Sequence, residues 1–327
     1  MYLSTTLLLG LVALPSALAQ ATFQRSSKRG LIYINNTKYA QDDQIWTEPG
    51  SDLTWYYNYA DTPSSVYSSL PQSKFEFVPM LWGSTIQNFS QTVQGLISSG
   101  TNVSHVMTFN EPDGTTATGG SQVDPKVAAS MWQSEIEPLR KLGIKAGAPA
   151  VTGAQSGFTW LTNFFSACQD LGHNCTIDFI PIHWYGNFEG LASHIGQVVG
   201  TYPNTSIWIT EYALPDDSLA NTQSFFNSSA DYFDRISYIE RYSYFGSFRS
   251  SVSNVGPYAA MLDEHGKLTD IGSWYLGGAR TGNIPSGSDT SSSSGSGSSG
   301  SGNNNAAGRV QGNYVWAVLL AALICAL

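Results

Sequence analysis

Two glutamates sit in local settings that suit acid–base and nucleophilic work on a glycosidic bond. Glu111 follows the apolar run that ends Met107-Thr108-Phe109-Asn110, and Pro112-Asp113 come after it. Glu211 stands in Trp208-Ile209-Thr210-Glu211-Tyr212-Ala213, again at the end of a short apolar run. Hydrolysis of a glycoside needs two carboxyls flanking the scissile bond. One is protonated to release the leaving group, and the other is ionised to attack or to activate water. A single glutamate at a strand end serves as readily in a salt bridge. The pair, 100 positions apart, does chemistry only in a fold that brings distant strand ends together.

Other residues near these runs are candidates for the same site. The amide of Asn110, next to Glu111, can bond a sugar 2-hydroxyl, an interaction that strengthens at the transition state. It also suits a plain turn before Pro112. His183 and Tyr185, two apart in an apolar run, fall on one strand face and can orient Glu211 or touch substrate. Trp55, Tyr57, Trp82 and Trp274 lie near expected strand ends or in late loops and offer flat faces for sugar rings, or for the core. Trp46, Trp132, Trp160 and Trp208 belong to the core, and Asp113 caps the loop after Glu111.

No phosphate-binding glycine loop, Gly-x-Ser-x-Gly elbow or His-Glu-x-x-His helix occurs. Neither a metal nor a cofactor is therefore expected. His105, His173, His194 and His265 are scattered and need no special role.

The elements that must position these residues repeat along the chain as short apolar runs alternating with helix-like or loop segments. Eight strands are expected: 31–35, 53–57, 75–82, 105–110, 145–150, 178–185, 206–212 and 242–248. Several lack clean alternation, as strands covered on both faces should. The chain is thus expected to be α/β, a (β/α)8 TIM barrel in one catalytic domain over residues 30–285, with its site at the C-terminal mouths of the strands. The clearest helix opens at Asp124 as N-cap with Pro125 in its first turn, and Pro138 should kink or end it. A second is expected over residues 158–167.

At this point the sequence resembles the retaining glycosidases of the (β/α)8 superfamily, with Asn-Glu on the fourth strand and Glu on the seventh. The runs Phe109-Asn110-Glu111-Pro112-Asp113, His183-Trp184-Tyr185-Gly186 and Ile209-Thr210-Glu211-Tyr212-Ala213 resemble, more narrowly, the fungal alkali-sensitive-linkage type, glycoside hydrolase family 128. The resemblance implies Glu111 as acid/base, Glu211 as nucleophile and endo-acting cleavage of β-1,3-glucan. A β-glucan transglycosylase and a non-catalytic glucan-binding wall protein are the alternatives.

Both termini read as addresses. Residues 1–19 form a signal peptide ending Ala17-Leu18-Ala19. Lys28-Arg29 suggests a propeptide over residues 20–29 with Gly30 as mature start. Residues 286–302 are almost wholly Ser and Gly, a linker. Residues 303–327, small residues and a polar spacer before an apolar tail, have the order of a glycosylphosphatidylinositol-attachment signal with Asn305 as attachment site. A secreted, surface-anchored protein of cell surface or wall is expected. It would touch the membrane only through its lipid anchor.

In an oxidising compartment Cys168 and Cys175 should pair, since Cys325 leaves with the tail. Sequons mark Asn35, Asn88, Asn102, Asn174, Asn204 and Asn227 for N-glycosylation. Residues 30–280 carry 11 Lys and Arg against 23 Asp and Glu, a net charge of −12. Such a surface repels nucleic acid and anionic lipid and leaves a neutral polysaccharide as partner. A monomer is expected.

Overall fold

The computed structural model describes residues 25–287. The signal peptide, residues 20–24 of the expected propeptide, all but the first two residues of the Ser/Gly linker, and the anchor signal with Asn305 lie outside them. Eight strands run in parallel: β1 (Arg29–Ile32), β2 (Trp55–Tyr57), β3 (Glu76–Phe77), β4 (His105–Val106), β5 (Lys145–Ala146), β6 (Phe179–Tyr185), β7 (Ser206–Ala213) and β8 (Ile239–Tyr244). Six of them pair in the order β3-β2-β1-β8-β7-β6, and β4 pairs with β5. Parallel bridges Met80↔Met107 and Gly147↔Phe179 join the two groups and close the ring. The ladders around β3 and β5 are short because Pro79 and Pro149 lie just past their ends and have no N–H to donate.

Seven helices cover the later strands: α1 (Phe89–Ser98), α2 (Pro125–Met131), α3 (Glu137–Arg140), α4 (Gln155–Asp170), α5 (Phe188–Thr201), α6 (Leu219–Arg235) and α7 (Asp270–Tyr275). After β1 the chain forms only 3-10 turns over Thr37–Thr47. No α-helix separates β2 from β3. As expected, Asp124 caps α2, accepting from the Lys126 amide at 2.8 Å. Pro138 acts as expected too: the helix widens into a π turn over Trp132–Ile136 and resumes as α3. A disulfide joins Cys168, near the end of α4, to Cys175, below β6.

Two strands are displaced from their expected limits. β8 begins at Ile239 rather than Tyr242, in a stretch that Glu240 and Arg241 make look polar. Arg241 instead spans the barrel floor, its guanidinium 4.4 Å from the Trp208 ring and 2.7 Å from Glu76. Burial would raise Glu76, but bonds from His105 and Arg241 outweigh it and hold that carboxyl down at about 2. Trp208 also stacks on Phe179 at 3.9 Å, so this end of the barrel is filled.

β1 begins at Arg29, one residue before the expected mature start. Arg29 is wholly buried, and its guanidinium bonds Asp52, the Tyr242 hydroxyl and the carbonyls of Trp274 and Tyr275. Lys28 reaches the carbonyls of Phe233, Asp234 and Ile236 at the end of α6. The dibasic pair thus packs against the folded unit, just ahead of the expected boundary at Gly30.

Candidate active site

The strand mouths opposite this floor form a cleft of about 630 Å³ lined from all eight strand ends. Glu111 enters it from the loop after β4. Its φ of 39° places a non-glycine residue in the left-handed region, a strain that the surrounding bonds hold. The Glu111 amide donates to the Ala150 carbonyl at 2.6 Å, and its carbonyl accepts from Gly114 at 2.9 Å. Gly120 closes over the same turn, where a Cβ would stand 2.5 Å from the Glu111 carbonyl oxygen. Asp113 fastens this loop to the next one, accepting from the amide and hydroxyl of Thr152 and from Ser156. It braces the loop, as expected.

Glu211 is aimed by a bulge in β7. Ile182 pairs with Ile209 and His183 with Glu211, leaving Thr210 as the extra residue. The Thr210 carbonyl is taken up by the Tyr57 hydroxyl at 2.8 Å and the Ser243 hydroxyl at 2.9 Å. Glu211 is 5% exposed. Its two oxygens accept from Tyr59 at 2.7 Å and from Tyr185 at 2.6 Å.

His183 joins the two carboxyls. Its Nδ1 lies 3.0 Å from Glu111 Oε1 and 3.5 Å from Glu211 Oε2. The three groups each offer an atom within 4.8 Å of the others. Burial pushes Glu211 up, and the Glu111 charge adds to this; His183, Tyr185 and Tyr59 pull the other way without reversing it. Burial would lower His183, but the neighbouring carboxylates prevail and raise it. The cluster therefore holds a proton among its members more tightly than isolated side chains would.

Of the expected site residues, Glu111, Glu211, Asn110, Tyr185 and Trp82 line the cleft, and His183 lies beneath it against both carboxyls. Asn110 donates its Nδ2 to the Gly119 carbonyl, and its buried Oδ1 has no partner among the described residues. That oxygen can accept a sugar hydroxyl.

Three expected sugar-stacking residues lie elsewhere. Trp55 is buried in the floor, its indole N–H bonded to the Lys28 carbonyl and its ring over Gly30, where a Cβ would stand 2.2 Å away. Tyr57 is fully buried and holds the Thr210 bulge. Trp274, in α7, packs on Phe226. A strand's apolar pattern does not say which face or end a large ring will take, hence the misplacement.

Tyr33, Tyr59, Trp184 and Phe245 do line the cleft and were missed. Tyr59 has a φ of 58° just past β2, a conformation that propensity argues against. Its spacing of two from Tyr57 was the one available signal. All six sequon asparagines are exposed, and Asn35 is on the cleft rim. Among the described residues, no helix is long and apolar enough to cross a membrane.

A family model described as glycosyl hydrolase catalytic core matches residues 30–275. This chain belongs to that family. Alkali-sensitive linkage protein 1 of Schizosaccharomyces pombe is 32% identical over 260 residues, which are 77% of this chain and 44% of that protein. The chain thus spans less than half the length of this curated relative. Among solved structures, a subgroup I endo-β-1,3-glucanase variant of glycoside hydrolase family 128 from Amycolatopsis mediterranei, in complex with laminarihexaose, is 27% identical. The match covers 78% of this chain and all of that one, with a TM-score of 0.58. A subgroup III curdlan-specific exo-β-1,3-glucanase of the same family from Blastomyces gilchristii, in complex with glucose, is 25% identical over 77% of this chain and 99% of that one, at a TM-score of 0.61. The chain thus carries a glycosyl hydrolase catalytic core of the family 128 type on a (β/α)8 barrel.

Proposed function

We propose that this chain hydrolyses β-1,3-glucan with retention, by a double displacement in which Glu211 is the nucleophile and Glu111 the acid/base. The observation that carries the reading is the meeting of Glu111, Glu211 and His183 within 4.8 Å in one cleft. Retaining enzymes hold their carboxyls about 5–5.5 Å apart, inverting ones about 6.5–9.5 Å. The linkage follows from the family 128 relatives, described as β-1,3-glucanases.

The division of roles rests on the partners. Glu211 takes a phenol donor on each oxygen, bonds that favour the carboxylate a nucleophile needs. Glu111 is the more exposed to the cleft, its side chain 14% accessible against 6% for Glu211. It can reach the glycosidic oxygen. In the first step Glu211 attacks the anomeric carbon while Glu111 gives its proton to the departing oxygen. Esterification removes the negative charge of Glu211, which weakens the hold of Glu111 on a proton and lets it act as base toward water.

Endo action is proposed by likeness to the subgroup I relative, described as an endo-β-1,3-glucanase. The secreted, lipid-anchored, glycosylated state at the cell surface or wall is part of the same reading, supported by the terminal segments and the exposed sequons.

An end-labelled β-1,3-gluco-oligosaccharide, followed over time with the product anomer read by NMR, tests the proposal. Internal cleavage with β-anomer first is expected. Glu211→Gln should abolish turnover, and Glu111→Gln should lower it about 10²–10⁴-fold, with azide rescuing the second step on an activated donor. Saturable binding without cleavage by the unmutated protein would replace this reading with a glucan-binding wall protein.

A further inference from the structure

Trp184 lies between His183 and Tyr185 on β6, so strand alternation turns its side chain away from the carboxyls. It nevertheless lines the cleft, beside Thr152, Gly153 and Ala154 of the loop after β5. Its indole is fixed from several directions. Nε1 donates to the Asn187 carbonyl at 3.1 Å, and the ring stacks on His194 with centroids 5.4 Å apart. A Cβ on Gly153 would stand 2.9 Å from the ring, and one on Gly190 2.4 Å. Glycine at both places lets the backbone close on the indole while part of it stays open to the cleft. A rigid aromatic surface of this kind suits the apolar face of a sugar ring, because little side-chain freedom is lost on binding.

The two carboxyls fix which sugar it faces. The retained sugar is bonded through its anomeric carbon to Glu211, whose Oε1 is held from across the barrel by Tyr59 of the loop after β2. The departing oxygen is at Glu111, whose loop is tied by Asp113 to Thr152, next to the residues that pack on Trp184.

Resting on the hydrolase reading above, we propose that Trp184 and residues 152–154 form the leaving-group subsite, which also receives an acceptor sugar. In that second use the acceptor hydroxyl oxygen attacks the anomeric carbon of the glycosyl ester and its proton passes to Glu111. The carbon–oxygen bond to Glu211 breaks as the new glycosidic bond forms. Transglycosylation then shares one platform with hydrolysis, and its yield depends on Trp184.

The test compares two substrates with the whole secreted protein. One is a β-1,3-glucopentaose, which places sugars on both sides of the scissile bond. The other is a nitrophenyl β-laminaribioside, whose leaving group is not a sugar. Trp184→Ala should lower kcat/KM on the pentaose about tenfold more than on the aryl substrate, as expected for loss of one stacking contact. It should also reduce transfer to added laminaribiose relative to hydrolysis. Trp184→Phe, which keeps a ring against His194, should recover most of both. Equal losses on the two substrates, or an unchanged transfer-to-hydrolysis ratio, would overturn the subsite. If the unmutated protein turned over neither substrate, the hydrolase reading itself would fail, and the subsite with it.

Discussion

Arg29 offers a sharp test of where the folded unit begins. Replacing it with Met keeps much of the side-chain volume but removes a guanidinium that bonds Asp52 at 3.0 Å, the Tyr242 hydroxyl at 2.8 Å and two carbonyls of α7 at 3.0 and 3.2 Å. Breaking a buried ion pair from one side costs about 3–5 kcal/mol, because the remaining charge stays desolvated. Asp52 keeps Arg25 and the Ser26 amide, and Tyr242 keeps Asp234, so the lower end, about 3 kcal/mol, is the expected loss. That is a large share of the roughly 5–15 kcal/mol by which domains are stable. A chain starting at Gly30 also loses the three carbonyl bonds of Lys28 and should fall further. Urea unfolding followed by tryptophan fluorescence, on residues 20–287 with Arg29, with Arg29→Met and without residues 20–29, measures both. The mature protein should accordingly retain Lys28-Arg29, as N-terminal sequencing would read. A mature start at Gly30 with unchanged stability would refute the reasoning.

Two more outcomes follow from a hydrogen bond at the site and from the disulfide. Tyr59→Phe removes one donor from the Glu211 carboxylate, so the carboxyl, already pushed up by burial, rises further. On the proposed role, in which Glu211 attacks as the carboxylate, the acid limb of the kcat/KM profile should move to higher pH. Below that limb the loss should reach about tenfold to a hundredfold, from a charged hydrogen bond worth about 1.5–3 kcal/mol; an unmoved limb would count against the nucleophile assignment. Replacing Cys168 and Cys175 by Ser opens a short loop, their separation being seven residues. The chain-entropy relation gives about 2.5 kcal/mol for that closure, so thermal unfolding should drop by roughly 5–10 °C, at about 2–4 °C per kcal/mol for a domain of this size, with activity at 25 °C intact.

Much of the barrel was legible because parallel strands buried on both faces write themselves as apolar runs, and Asp124-Pro125 marks a helix start in two residues. The errors fall where tertiary contacts override local character. Glu240 and Arg241 read as surface, yet Arg241 crosses the floor between Trp208 and Glu76, and β8 starts three residues earlier as a result. A dibasic pair reads as a cleavage site in sequence, and the contacts that argue for its retention are distant ones. Those of Arg29 come from residues 52, 234, 242, 274 and 275, which no local window contains.

The two glutamates were legible because each follows an apolar run of the sequence, and a barrel brings the C-terminal ends of such runs to one mouth. Their supporting shell was not. Tyr57 and Tyr59 are one strand step apart and chemically alike, but the bulge at Thr210 divides them: Tyr57 takes the displaced carbonyl, and Tyr59 takes the carboxylate that the bulge turns inward. A bulge is set by register between paired residues 27 to 33 positions apart, so its consequences appear only once the sheet is built. Trp184 is the converse case. Alternation assigns it to the helix-facing side of β6, yet its ring lines the cleft, in space left by glycines at 153 and 190 that belong to other elements. The chemistry is written at strand ends, whereas the positioning and specificity of this site lie in pairings between strands and between loops.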